Sequence, residues 1–357
     1  MDELDLVRQL KEAPALRPEA YERARSALGT AMAAAQTSGV PDAAAATARK
    51  KFSWLRDFRL GVAGKVGIGA VGALAAAAVV VSVAVPHPAA PAGPTPHESA
   101  AGSPLVTLAA DVKASGGSVT GDASLVIRST TAPNGEPYVT YAVYSDSGHV
   151  YFAESKSGLP ALVARNENVD DPSQAREVAA ARFAASGDLD QAREQMVNAT
   201  NNYWGLGLSA EQQQKLWDEG QAQARQILQE KGVANPPQKP RPTGKALQDG
   251  IDNTLWTNTI QALDLGAGNP DVRAGVLRLI STIPDVTVTN SKTGGQPSLV
   301  LTAGPALFQG DEQEVLTINA GTGLPISAVA TPKTGKPVTA TYESSRVTLA
   351  DVKAGKF

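Results

Sequence analysis

The stretch Gly61–His97, GVAGKVGIGAVGALAAAAVVVSVAVPHPAAPAGPTPH, decides how the rest of the chain is divided. From Val66 to Val85 it runs 20 residues without a charge, and Pro86 ends it. At ~1.5 Å per residue a helix of that length reaches ~30 Å, the thickness of a bilayer's hydrocarbon core. A buried core helix would keep one polar side, yet Ser82 is the one polar side chain in the run. A cleaved secretion signal would carry its apolar segment near the start, and here roughly sixty residues precede it. Residues 61–85 therefore read as a transmembrane helix.

The flanks give its orientation. On the N-terminal side stand Arg49, Lys50, Lys51, Arg56, Arg59 and Lys65 against a single acid, Asp57, whereas beyond the run no Lys or Arg occurs before Lys113. The positive-inside rule places residues 1–60 in the cytoplasm and everything after Pro86 outside. Phe52, Trp54 and Phe58 interleave with the basic residues, so this segment is expected to anchor at anionic lipid headgroups. The expected localisation is the cell membrane, single-pass, with a cytoplasmic N-terminus.

Residues 1–60 form a small cytoplasmic stub. Leu4, Val7 and Leu10 make one helical stripe, Pro14 and Pro18 interrupt it, and Ala20, Tyr21, Ala24, Leu28 and Met32 make a second. Two short helices bury little by themselves, which suits a docking element for a cytoplasmic protein or a loosely ordered tail. Residues 86–103 are a Pro/Ala-rich spacer lifting a domain off the membrane. His87 and His97 lie in that spacer without a third ligand between them, so no metal is expected there.

Composition narrows the chemistry. The 357 residues contain no cysteine, which excludes disulfides, thiolate zinc sites, iron–sulfur clusters and cysteine nucleophiles. A formal net charge of −3 gives no whole-chain attraction to nucleic acid. Abundant Ala, Gly, Val and Pro with 5% aromatics points to a GC-rich, bacterial genome.

Residues 104–357 are expected to form an extracytoplasmic α+β domain, with antiparallel β meanders flanking a helical block. ASLVIRSTT, PYVTYAVYS and HVYFAES read as strands separated by the turns PNGEP and SDSG. In the second of these, alternation leaves both faces partly apolar, so both are expected to be covered. Asp171, Pro172 and Gln174 predict a capped helix that buries Ala175, Val178, Ala179 and Phe183. A short helix follows around Leu189 and Met196. Ser209 and Gln212 open another that turns Leu216, Trp217, Ala224, Ile227 and Leu228 inward and closes at Gly232. Two more helices end near Gly266 and begin at Asn269–Pro270. Hairpins around KTGGQ and AGTG and a closing strand in KPVTATYESSRVTL complete the domain. Trp204, Trp217 and Trp256 fall in the helical block, where large rings more often form core than line a groove. The near repeat VTLAADVKA (106–114) and VTLADVKA (347–354) has no further copies and reads as coincidence.

No catalytic constellation emerges. His149 is the one histidine outside the spacer, and it sits in YSDSGHVY, whose Ser, Asp and Gly are also what a hairpin turn requires. GxSxG, SxxK, HExxH and P-loop patterns are absent. The adjacent acids Asp170/Asp171 and Asp311/Glu312 read as solvated loops. The expected protein is not an enzyme and carries no cofactor.

With these features in place, the chain resembles a group of uncharacterised actinobacterial single-pass membrane proteins, many encoded beside extracytoplasmic-function sigma factors. The resemblance rests on MDELDLVRQLKEAPALRPEAYERARSAL, the apolar run, GAGNPDVRAGVLRLISTIPDVTV (266–288) and EVLTINAGTGLPISAVA (314–330). It implies an anti-sigma-like or envelope-sensing role and transfers no site residue. The expected partners are the lipid bilayer, a cytoplasmic protein such as a sigma factor, and an envelope ligand of unknown kind. A membrane-anchored carrier of lipid or another apolar ligand is the alternative, and an envelope hydrolase depending on His149 or a carboxylate pair is a third.

Overall fold

The computed structural model describes residues 103–116, 120–131, 137–169, 171–230 and 232–357. The expected cytoplasmic helices, the apolar run 61–85, the expected basic anchor from Arg49 to Lys65, the spacer up to residue 102 and the PNGEP turn up to Glu136 lie outside the described residues. Among the described residues no helix is long and apolar enough to cross a membrane.

Ser103 caps the first helix, α1 (Pro104–Ser115), accepting from the Leu105 amide, with Pro104 preset for the first turn. Strands β1 (Ala123–Thr131), β2 (Pro137–Ser145) and β3 (Val150–Ala153) follow. Then come α2 (Leu159–Arg165), α3 (Pro172–Ala184), α4 (Leu189–Asn198), α5 (Ala210–Glu230), α6 (Gly244–Gly266) and α7 (Pro270–Ile280). Strands β4 (Val286–Thr293), β5 (Gln296–Ala303), β6 (Glu312–Asn319), β7 (Pro325–Pro332) and β8 (Val338–Val347) close the domain with a short α8 (Leu349–Lys353).

The domain is α+β, as expected, but the two meanders are one sheet. Eight antiparallel strands run in the order β3-β2-β1-β8-β7-β6-β5-β4, and β1 pairs with β8 along its length, from Ala123 opposite Val347 to Thr131 opposite Thr339. The helices α1, α3, α4, α6 and α7 stack on one face, the inner face, where Leu299, Leu301, Leu316 and Ile318 meet Leu255, Trp256 and Leu263 in one continuous core. On the opposite face α2 and α8 cover the β1–β3 end, enclosing Leu125, Val143, Tyr151, Leu159 and Val352. Thus β2 is covered on both sides, with Val143 facing out and Tyr144 facing in. Further along, the outer face carries exposed Thr287, Thr289, Thr339 and Thr341.

Several local expectations hold. Gly294 and Gly295, both at positive φ, form the two-residue turn between β4 and β5. Ser209 and Gln212 exchange reciprocal capping bonds of 3.3 Å and 3.0 Å. Asp171 caps α3 through the Ser173 amide at 2.9 Å, although the Gln174 carbonyl oxygen finds no partner and the predicted box is left half made.

Others need correction. The expected buried side of α3 included Ala179, which is exposed; Ser173, Glu177, Val178, Ala180, Ala181 and Ala184 face inward instead. Alanine is nearly neutral between core and water, so an Ala-rich helix declares no face. Here the choice is steric: a Cβ at Gly275 of α7 would sit 1.7 Å from the Ala181 carbonyl oxygen, so the two helices cross backbone to backbone. On α5, Trp217 and Ala224 are buried, but Leu216, Ile227 and Leu228 only partly so. The strand in HVYFAES stops at Ala153, and α1, α2 and α8 are helices that the pattern did not announce. The near repeat lies wholly within α1 in its first copy, whereas the second straddles the end of β8 and α8.

Polar networks pin the helices. Arg193 of α4 pairs with Asp252 of α6 at 2.8 Å and also donates to the Thr282 carbonyl at 3.1 Å, with both charged side chains under a tenth exposed. Asn258 of α6 donates to the Met196 carbonyl at 2.8 Å. Asp146, in the turn after β2, accepts from Arg182 of α3 and from Arg346 of β8, and these arginines hold its carboxyl below the usual range against the opposing effect of burial.

Candidate functional site

Alternation along three strands brings polar side chains to the inner face of the sheet. Arg128 and Thr130 share one face of β1. Tyr342 of β8 stands opposite Arg128, and Ala340 stands opposite Thr130. The Thr130–Ala340 row continues through Ala328 of β7 to Leu316 of β6, and the next row on that face runs from Val338 through Ala330 to Glu314, with Glu312 two residues further along. The Thr130 row thus separates the Arg128–Tyr342 pair from the two glutamates.

Helix α6 lies across this face and contributes Trp256 and Asp264, about two turns apart. The Trp256 indole donates to Glu314 Oε2 at 2.6 Å. Asp264 Oδ2 lies 3.8 Å from Arg128 Nη1, and the Arg128 guanidinium sits 5.9 Å from the centre of the Tyr342 ring. A charge-assisted contact closes to about 2.7–2.9 Å, so the Arg128–Asp264 pair is held open.

Burial and access differ here in an informative way. Desolvation raises the pKa of Asp264 against the opposing pull of Arg128 and the Tyr342 hydroxyl. Nevertheless 24% of the Asp264 side chain and 15% of Arg128 are open to solvent. Groups deep in a fold that still meet solvent line a recess. Desolvation works against the Arg128 charge, but Tyr342, Asp264, Tyr138 and Glu314 together outweigh it and raise the pKa. Thr130 is 1% exposed and its hydroxyl lacks a partner, as do Arg128 Nε and Glu312 Oε1. Buried polar atoms without partners cost about 1–3 kcal/mol each, and they concentrate where a ligand or ordered water completes them.

Glu312 corrects a sequence expectation. It opens β6 facing inward, and burial followed by the charge of Glu314 pushes its carboxyl up to about 8. Its partner in that expectation, Asp311, is exposed. The linkage has a definite sign. The folded state holds the Glu312 proton over the interval between the ordinary value of 4.5 and about 8. Its contribution to stability is full below that interval and falls as pH rises through it. The unscreened shift corresponds to about 5 kcal/mol, and partial exposure reduces this to roughly 2 kcal/mol. Glu312→Gln should therefore flatten the loss of stability between pH 5 and pH 9, read from denaturation midpoints at each pH. An unchanged slope would show that Glu312 titrates normally.

The residues first considered for hydrolysis are engaged elsewhere. The Ser145 hydroxyl accepts from the His149 amide at 2.9 Å and bonds Ser147, while the His149 ring meets Asn168 at 3.0 Å. Asp146 is held by arginines, and Asp171 caps α3. YSDSGHVY is thus a turn. The tryptophans are core: Trp204 and Trp217 stack at 6.1 Å, with Tyr203 at 5.1 Å from each ring. Among the described residues no group of three or more His, Asp or Glu could hold a metal ion.

The recess was legible in principle. Arg128 interrupts the apolar strand ASLVIRSTT, Asp264 interrupts the apolar helix face IQALDLG, and Glu314 takes an inward position in the alternation that buries Leu316 and Ile318. Comparison with protein-family models, with curated proteins and with solved structures returns no match.

Proposed function

We propose that this chain is a single-pass membrane protein whose extracytoplasmic domain, residues 104–357, binds a small ligand of the cell envelope. The cytoplasmic segment 1–60 docks a protein such as a sigma factor, in an anti-sigma-like arrangement. The observation that carries the binding half is the solvent-open Arg128–Asp264 pair deep within the domain, with the partnerless Thr130 hydroxyl on the same face. The uncharged run and its basic flank support the membrane half.

Two features favour this reading over its rivals. Apart from the polar recess, the inner face of the sheet is filled by apolar side chains of α6 and α7, which leaves an apolar carrier little to enclose. The engagement of Ser145, Asp146 and His149 within and around their turn supports a binding role over hydrolysis.

Full-length protein extracted gently from its own membranes tests the reading by native mass spectrometry. The expected result is a retained small molecule that is absent when Arg128→Met and Asp264→Leu are combined. Co-purification of a sigma factor with the full chain, lost on deletion of residues 1–60, is expected alongside it. Protein carrying no small molecule, and whose unfolding midpoint no envelope extract moves, would overturn the binding half. A topology reporter reading residues 104–357 as cytoplasmic would overturn the whole.

A further inference from the structure

We infer that the recess between β1, β8 and α6 takes a small zwitterion, a solute carrying a carboxylate and an ammonium a few bonds apart, as in an α-amino acid. This inference rests on the reading of the recess as a binding site and adds the chemistry of its occupant.

The argument begins with the open ion pair. Arg128 and Asp264 face each other at 3.8 Å inside the fold, too far apart for a closed charge-assisted bond. The Tyr342 hydroxyl acts on Asp264, but Arg128 Nε has no partner, and attraction across such a gap leaves the remaining donors and lone pairs of the pair to solvent or to a ligand. A third species between or beside them completes both. An anion would bond the guanidinium but would enter against Asp264 and against the charge of Glu314, which also acts on Arg128. A cation would suit the carboxylates but would meet Arg128. A zwitterion presents its carboxylate to Arg128 and its ammonium to Asp264, so each charge meets its opposite and the net charge of the recess is unchanged.

Thr130 strengthens the choice. Its hydroxyl is buried, partnerless and two residues from Arg128 on the same strand face, where it can donate to the carboxylate that Arg128 binds. The Arg128 guanidinium lies 5.9 Å from the centre of the Tyr342 ring, within reach of a cation–π attraction. The recess thus offers a carboxylate-binding half made of Arg128 and Thr130, and an ammonium-binding half made of Asp264.

Calorimetric titration of the full chain in detergent with glycine, L-alanine, acetate and methylammonium is the test, each at millimolar concentration so that general solute effects stay small. Saturable heat is expected from the two amino acids, with acetate and methylammonium binding at least tenfold more weakly. The combination of Arg128→Met and Asp264→Leu, which removes both charges together, is expected to abolish the signal. Thr130→Val leaves the charges in place and should weaken amino-acid binding about tenfold, so the inference stays exposed to refutation even if the double variant fails to fold.

Acetate or methylammonium binding as tightly as glycine would overturn the inference. So would amino-acid binding that survives both sets of substitutions. If none of the four probes binds but a different molecule is retained from membranes and lost in the double variant, the zwitterion assignment falls and the binding reading stands. If none binds and nothing is retained, both fall.

Discussion

Replacing Gly275 with alanine is expected to destabilise the folded α+β domain by about 3 kcal/mol, a large loss for one methyl group. A Cβ at this position would stand 1.7 Å from the carbonyl oxygen of Ala181 and 3.1 Å from the amide nitrogen of Ala185. Both are backbone atoms within α3 or at its end, so no rotamer change relieves the overlap. Relief requires moving α3 away from α7, which opens the core around Val178, Ala181, Val276 and Leu277. Alanine would ordinarily favour a helix over glycine by about 1 kcal/mol, and that gain is already outweighed in the figure given. At about 2–4 °C per kcal/mol for a domain of this size, the melting midpoint should fall by about 6–12 °C. Differential scanning calorimetry of the purified chain reads it directly; a midpoint within 2 °C or so of the parent would mean that α3 and α7 do not cross as described.

Breaking the buried ion pair of the helical layer should cost about as much or more. Arg193 and Asp252 lie 2.8 Å apart with 7% and 4% of their side chains exposed, and Arg193 also satisfies the Thr282 carbonyl. Arg193→Met leaves a carboxylate buried without its cation, a change that costs about 3–5 kcal/mol in comparable sites. Asp252→Leu alone should do similar harm by stranding the guanidinium. The combined variant, with both charges gone and the volume largely kept, is expected to recover most of the loss. A double-mutant cycle by chemical denaturation separates this from simple packing damage. If the double variant is as unstable as the sum of the singles, the pair contributes through shape rather than charge.

The legible and illegible parts of this fold divide along physical lines. The hairpins β4–β5 and β6–β7 announced themselves because period-two alternation and turn glycines are local, and Gly294 and Gly295 take the positive φ that a tight turn demands. The caps at Ser209 and Asn269 were legible for the same reason. The union of the two meanders was not, since nothing near Ser124 signals that Arg346 will be its neighbour. Pairing at that distance is decided by the whole core. Helices α1 and α8 were missed because VTLAADVKA carries β-branched residues that weaken a helical pattern, and tertiary packing of Leu105, Leu108 and Val112 overrides that weakness.

The candidate site shows a similar division. The turn in YSDSGHVY was legible because Ser, Asp and Gly had a sufficient local use. Glu312 was misjudged because adjacency to Asp311 suggested a loop, whereas a strand beginning there sends the two neighbours to opposite sides. Arg128, Asp264 and Glu314 each stand as a charge at an inward-facing position, and such misfits are the signal for a polar interior. Bringing them together required knowing that α6 crosses β1 and β6, which no local pattern states.

The pairing of β1 with β8 has a consequence for how the domain is made. Two strands separated by roughly two hundred residues must find each other before the sheet is continuous, so the domain has a high contact order and an entropically expensive closing step. The β4–β7 hairpins and the α6–α7 pair can form early from nearby residues. The first meander has no sheet neighbour until β8, the last strand, has emerged. The domain therefore commits to its final shape only once residues 338–347, close to the end of the sheet's sequence order, have paired with β1.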